Sequence, residues 1–283
     1  MKCQFDSPTL NCNGSLLSLS QPIVMGILNA TPDSFFTDSR ATTVRAIKER
    51  AAAILAEGGT IVDVGAYSSR PFAADVSEEE EMERMRMALG SIREDFPNAI
   101  ISVDTFRSSV ARMSVEEFGV SIVNDISGGD ADENMFATVA RLRVPYVCMH
   151  MRGTPQTMQL SPCYDNVVGE VVADLSKKVE TLRSLGVADI IIDPGFGFGK
   201  TLAQNYALMQ QLEALYIFGL PILVGVSRKS MVYNLLETTA EAALNGTTVL
   251  NTVALAKGAK ILRVHDVREA VEAVKIVTHL NVI

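Results

Sequence analysis

Asp193 ends the apolar run Ile190, Ile191, Ile192 and is followed by Pro194, by glycines at 195, 197 and 199 set around Phe196 and Phe198, and then by Lys200 and Thr201. An apolar β-branched run that closes on an acid reads as a buried strand carrying a carboxylate into a loop. Three glycines so close together predict a loop that bends sharply or lets a ligand reach the main chain, since an ordinary turn needs one or two. Gly199, Lys200 and Thr201 look like the tail of a phosphate-cradling loop, but the first glycine such a loop needs five residues earlier is missing.

Polar residues stand in the same relation to seven other apolar runs: Asn29, Asp63, Asp104, Asn124 with Asp125, His150, the segment Ser227 to Ser230, and Arg263 with His265. Each has an ordinary explanation by itself. Asp or Asn after a strand commonly caps the next helix, which suits Asp33, Asp125 and Asp266 best; His150 could be a satisfied core histidine; a lone Lys or Arg there is usually a solvated charge. If all eight ends converge on one face, acids, amides and cations line a single mouth, and a built pocket becomes the simpler account. Asp104, Asn124 and Asp193 would then suit a flat heterocycle with adjacent N–H donors. Arg263, His265 and Arg70, with Asn29 and the amides of the first loop, suit an oxyanion or a metal-bridged diphosphate. Lys229 lies between these roles, and a Schiff-base lysine of the class I aldolase kind is the rival reading of it. Neither HExxH nor a GxSxG elbow is present.

These residues need elements to hold them. Apolar runs fall near 23–28, 61–65, 99–103, 120–123, 144–149, 189–193, 221–226 and 260–264, and the segments between them carry helical periodicity, as in Met82, Met85, Leu89, Ile92 and Phe96. Ser77 with Glu80, and Asp266 with Glu269, look like helix N-caps. Eight strands alternating with helices predict an α/β fold of the (β/α)8 TIM-barrel type, preceded by a short N-terminal arm or hairpin over residues 1–21. A doubly wound open sheet is the runner-up, and it lacks a glycine fingerprint at the first strand–helix junction. With no composition break or repeat, residues 1–283 read as one domain. A net charge of -8 argues against nucleic acid or an anionic membrane as partner, and the four cysteines form no CxxC pair. Neither a secretion signal nor a membrane span is expected from the sequence, and a reduced, cytoplasmic setting is expected with them.

Several of these segments together resemble the dihydropteroate synthase family: Met25 to Phe35, Asp63 to Pro71, Val103 to Thr105, Val123 to Asp125, Met149 to Met151 with Gly153 to Pro155, Asp189 to Thr201, Gly225 to Ser230, and Arg263 to Val267. The similarity runs from about residue 22 to the C-terminus. It implies a (β/α)8 enzyme that joins 6-hydroxymethyl-7,8-dihydropterin diphosphate to p-aminobenzoate, releasing pyrophosphate in folate synthesis, and that is commonly a homodimer. It implies pterin binding by Asp104, Asn124, Asp193 and Lys229, and diphosphate binding by Asn29, Arg263, His265 and Arg70, with Asn29 acting through Mg2+. Ser69, Arg70, Pro71, Phe198 and Ser230 would frame the p-aminobenzoate, with Phe35 and Asp33 on a mobile first loop. Asp104, Asp193, Lys229, Arg263 and His265 would form the catalytic set. A pterin-binding methyltransferase and a non-catalytic pterin-binding paralogue are the alternatives; a methyltransferase would have little use for Ser227 to Ser230 together with Arg263 and His265. The chain departs from the family pattern at Ala66, Tyr67, Ser69 and Phe72 in the second loop, which usually has Gly, Glu, Thr and Gly there. Its first loop reads Phe36 to Arg40 in place of an Asp-Gly-Gly ending.

Overall fold

The computed structural model describes residues 8–30, 40–67, 76–153 and 163–280. Asn13 and Gly14, both at positive φ, turn Thr9–Cys12 (β1) back onto Ser15–Ser18 (β2) as an antiparallel hairpin, so the described part of the N-terminal segment takes the hairpin form. Among the described residues, eight further strands then alternate with helices: Ile23–Asn29 (β3), Arg40–Ala56 (α1), Ile61–Gly65 (β4), Glu78–Asp95 (α2), Ile100–Asp104 (β5) and Ser108–Phe118 (α3). Ile122–Asp125 (β6), Met135–Leu142 (α4), Tyr146–Met149 (β7), Val167–Ser184 (α5), Ile190–Asp193 (β8) and Leu202–Gln210 (α6) follow. A 3-10 segment, Leu212–Phe218, leads to Leu223–Val224 (β9), Ser230–Tyr233 (α7) and Leu244–Ala256 (α8), and the chain closes with Ile261–Val264 (β10) and Val267–His279 (α9).

The eight strands are parallel, in the order β8-β7-β6-β5-β4-β3-β10-β9. The two ends of that order meet through a bridge between Ile192 and Ile222, where the Ile192 amide donates to Pro221 O at 3.0 Å, and the sheet becomes a barrel. Two apolar layers hold it. The outer one packs helix stripes such as Met85, Leu89 and Ile92 of α2, or Val171, Leu175 and Leu182 of α5, against the outward strand positions. The inner one lies at the N-terminal end, where Met25, Ile61, Ile122, Val147, Ile191, Leu223 and Ile261 meet Leu10, Cys12 and Leu19 of the hairpin region. The hairpin therefore plugs the bottom of the barrel, and inward side chains at the C-terminal ends are left for chemistry.

Helix starts show which strand-end residues are caps. Ser77 accepts from the Glu80 amide at 3.2 Å, as its sequence position suggests. Asp266 does not cap α9; it makes no such bond, because its carboxylate is taken bidentately by Arg228, Nε at 2.9 Å and Nη2 at 2.8 Å. Arg228 sits at φ 54 and also donates to Ala240 O, so it ties the seventh loop to the eighth. Thr201 forms a capping box with Gln204 at the start of α6, which accounts for the hydroxyl after Lys200 without a phosphate. No described helix is long and apolar enough to cross a membrane.

Candidate active site

Alternation along the strands decides what enters the barrel. On β4 the inward set is Ile61, Asp63 and Gly65, on β5 Ile100, Ser102 and Asp104, and the register places Asp63 beside Ser102 and Gly65 beside Asp104. Asp104 in turn neighbours Asn124 on β6, and Met149 on β7 neighbours Asp193 on β8. Above the apolar bottom layer the interior is thus polar.

Arg263 is the centre of this layer. Its Nε donates to Asp63 Oδ2 at 2.6 Å and its Nη2 to Asp104 Oδ2, while Asn124 Nδ2 donates to the same Asp63 oxygen at 3.2 Å. Burial works against the Arg263 charge, but Asp63 and Asp104 outweigh it and hold the guanidinium firmly protonated. Burial pushes Asp104 up to about 7 against the opposing pull of Arg263. Asp193 is also raised by burial, opposed by Lys229, and its Oδ1 accepts from the Gly195 amide at 2.7 Å. Lys229 donates Nζ to Phe196 O at 2.6 Å and lies 4.4 Å from the centre of the Phe198 ring; burial lowers it to about 8.

Next to this charged ring stands an apolar wall of Ile126, Met149, Met151 and Phe198. Ser230 opens α7 one residue beyond Lys229. Asn29 ends β3 half-buried. His265 follows β10; its backbone carbonyl accepts from Arg50 at 2.7 Å, and burial together with Arg263 lowers its imidazole to about 4, so it is neutral near pH 7. The structure therefore brings together Asn29, Asp104, Asn124, Asp193, Phe198, Lys229, Ser230, Arg263 and His265 at the C-terminal ends of the strands. Asp33, Phe35, Ser69, Arg70, Pro71 and Phe72 lie outside the described residues.

At Gly195 and Gly199 the glycine-rich loop bends for packing. Gly195 and Gly199 have positive φ, and a Cβ on them would fall 1.9 Å from His150 O and 2.7 Å from Arg152 O, so the loop is pressed against the chain that follows β7. Lys200 fastens it. Its Nζ is buried, donates to Gly195 O at 2.8 Å and Phe198 O at 3.0 Å, and sits 3.0 Å from His150 Nδ1. Lys200, which the sequence places at the tail of an incomplete phosphate loop, is thus a supporting residue of the loop. Burial lowers Lys200 to about 7 and His150 to about 3, and His150 is a satisfied core residue.

The sequence alone assigns Asp63 no role beyond that of one polar strand end among eight. It stands mid-strand in β4, completely buried, and joins Asn124 to Arg263. An acid inside the run Ile61 to Gly65 was the signal available.

The profile of the family described as pterin binding enzyme matches residues 25–265. The chain is 41% identical over 270 residues to the dihydropteroate synthase of Escherichia coli K12, covering 95% of each, and 39% identical over 269 residues to that of Haemophilus influenzae, covering 94% of this chain and 97% of the relative. A crystal structure of Yersinia pestis dihydropteroate synthase with a sulfonamide drug superposes with a TM-score of 0.89 at 38% identity, covering 97% of this chain and 99% of that one. The Xanthomonas albilineans dihydropteroate synthase with 4-aminobenzoic acid gives 0.89 at 36% identity, covering 98% and 99%.

Proposed function

The chain belongs to the dihydropteroate synthase family of pterin-binding enzymes, which makes dihydropteroate for folate synthesis, and we propose the following division of labour among its residues. Asp193 holds the aminopyrimidine edge of the dihydropterin, Asp104 and Asn124 accept from its ring N–H groups, and Lys229 donates to its carbonyl side. The slot beside Ile126, Met149 and Met151 takes the flat face. Arg263, His265, Asn29 and Arg70 face the diphosphate, with His265 as a neutral hydrogen-bonding group before substrate arrives. Phe198, Ser230, Ser69, Arg70, Pro71 and Phe35 frame the p-aminobenzoate. The observation that carries this reading is the acceptor-lined layer of Asp104, Asn124 and Asp193 with two half-buried cations, Lys229 and Arg263, at one mouth.

The chemistry follows from that layout. Arginine and hydrogen bonds neutralise charge as the diphosphate departs, and the electron-rich dihydropterin stabilises the methylene carbon left behind, so a dissociative displacement is favoured. The arylamine then needs positioning, and exclusion of water by the first two loops protects the cation. Among the described residues no cluster of three His, Cys, Asp or Glu could hold a metal by itself. One amide oxygen on Asn29 fits Mg2+ that arrives on the diphosphate, because that ion keeps waters and commonly takes few protein ligands besides phosphate. Mg2+ bound there would supply charge neutralisation on the leaving group. A single domain over 1–283, a homodimer and a cytoplasmic setting belong to the same proposal, as does sulfonamide binding at the p-aminobenzoate site.

The test is pyrophosphate release from 6-hydroxymethyl-7,8-dihydropterin diphosphate with Mg2+, expected to depend on added p-aminobenzoate. Pterin binding without pyrophosphate release would instead mark a non-catalytic paralogue.

A further inference from the structure

Asp63 is the one acid of the polar layer to which no substrate contact falls, and it is completely buried. It accepts from two different groups, Arg263 Nε at 2.6 Å and Asn124 Nδ2 at 3.2 Å. A carboxylate beside a guanidinium has no proton to give, so an asparagine facing it must turn its NH2 toward it and its oxygen away. Below Asn124 lies the apolar layer of Ile122, Ile61 and Ile191, and above it the mouth.

We propose that Asp63 is a positioning residue that sets the polarity of the pterin site: by taking Asn124 Nδ2 it makes Asn124 present Oδ1, an acceptor, to the ligand, and by taking Arg263 Nε it keeps that guanidinium in place when a ligand claims Asp104. Two consequences separate this from a general structural role. The site selects ligands whose facing edge carries donors, because Asp104, Asn124 and Asp193 then all present oxygens. The Arg263 bond to Asp104 is the exchangeable one, since Asp63 retains the Nε of the same side chain after Asp104 turns to the ligand. The inference rests on the pterin reading of the site.

A polarity swap tests it. In Asp63→Asn the new amide competes with Asn124 for orientation, and in Asn124→Asp two carboxylates face each other; both should bind 6-hydroxymethylpterin about tenfold or more weakly in calorimetry. In the double variant, D63N with N124D, the Asn at 63 can donate to the Asp at 124 and still accept from Arg263 Nε, while the Asp at 124 offers its second oxygen to the ligand. Binding should return to within about threefold of the unmodified protein. In steady state the single variants should raise KM for the pterin diphosphate while KM for p-aminobenzoate stays within about twofold, a split that a loosened barrel would not produce. Failure of the unmodified protein to bind the pterin would count against the pterin reading itself. Binding by the unmodified protein with unaffected single variants, or a folded double variant no better than the weaker single, would overturn the polarity role. A measurement that needs no folded variant is available in 15N spectra of the unmodified protein. The Asn124 side-chain NH2 should exchange slowly and shift little when pterin is added; a large shift would place the amide nitrogen on the ligand and reject the proposal.

Discussion

Lys229 is a cation in surroundings that resist one. Burial lowers it to about 8 while Asp193 pulls the other way, so its ammonium form is lost as pH rises through that value. If the protonated amine binds the pterin, kcat/KM should fall as pH rises above 8, with a separate acidic limb near 7 from Asp104, and Lys229→Arg should move the alkaline limb alone beyond the accessible range. Lys229→Ala should cost on the order of 10² in kcat/KM, the size of one lost buried donor. Borohydride should trap no adduct on the unmodified protein, and an adduct would favour the aldolase-type reading of this lysine. His150 and His265 are shifted down to about 3 and about 4, chiefly by burial. Unfolded, they would take up protons near pH 6.5, so the chain binds more protons unfolded than folded between that pH and their folded values. Their contribution to stability is complete above about pH 6.5 and lost as pH falls, by up to ~1.4 kcal/mol per pH unit for each. Urea midpoints from pH 7 to pH 4.5 check this, with His150→Gln expected to flatten the slope.

The loop between β8 and α6 works as a part held from two sides. Lys200 binds its carbonyls at Gly195 and Phe198 from beneath, and Lys229 binds the carbonyl of Phe196 from the mouth, so the position of Phe198 depends on both lysines. Lys200→Met removes the lower grip and leaves buried carbonyls unpaired; a loss of about 3 kcal/mol in denaturant unfolding is expected, with a raised KM for p-aminobenzoate. Much of this arrangement was legible beforehand. The apolar runs located the strands and the glycines announced a tight bend, because hydrophobic period and φ preference are local properties. What could not be read was which partner the loop packs against: His150 and Arg152 lie more than forty residues earlier, and no local pattern reports that their carbonyls meet Gly195 and Gly199. Asp266 misled for the same reason, since its partner Arg228 lies on another loop. The residue Asp63 was visible as an acid, yet its office depends on contacts to Asn124 and Arg263 that only closure of the sheet creates.

At the scale of the molecule, one end of the barrel is built for stability and the other for binding. Leu10 of the hairpin is 1% exposed against the bottom layer. Leu10→Ala should therefore lower the unfolding free energy by about 2–5 kcal/mol while KM for the pterin diphosphate changes by less than about twofold. An effect on KM as large as that of a mouth substitution would mean that the two ends are coupled. The ring itself is uneven. Between β3 and β4 five residue pairs run in register, whereas β8 meets the neighbouring strand region through the single bridge at Ile192 and Ile222. That seam separates the strand bearing Asp193 from the turn bearing Lys229. Deuterium should enter the amides of Ile192 and Val224 well before those of Val62 and Val103, and a bound pterin, gripping Asp193 on one bank and Lys229 on the other, should slow that entry: the substrate is then a stave-hoop for the barrel, mending from inside the gap that its own backbone leaves thinly stitched.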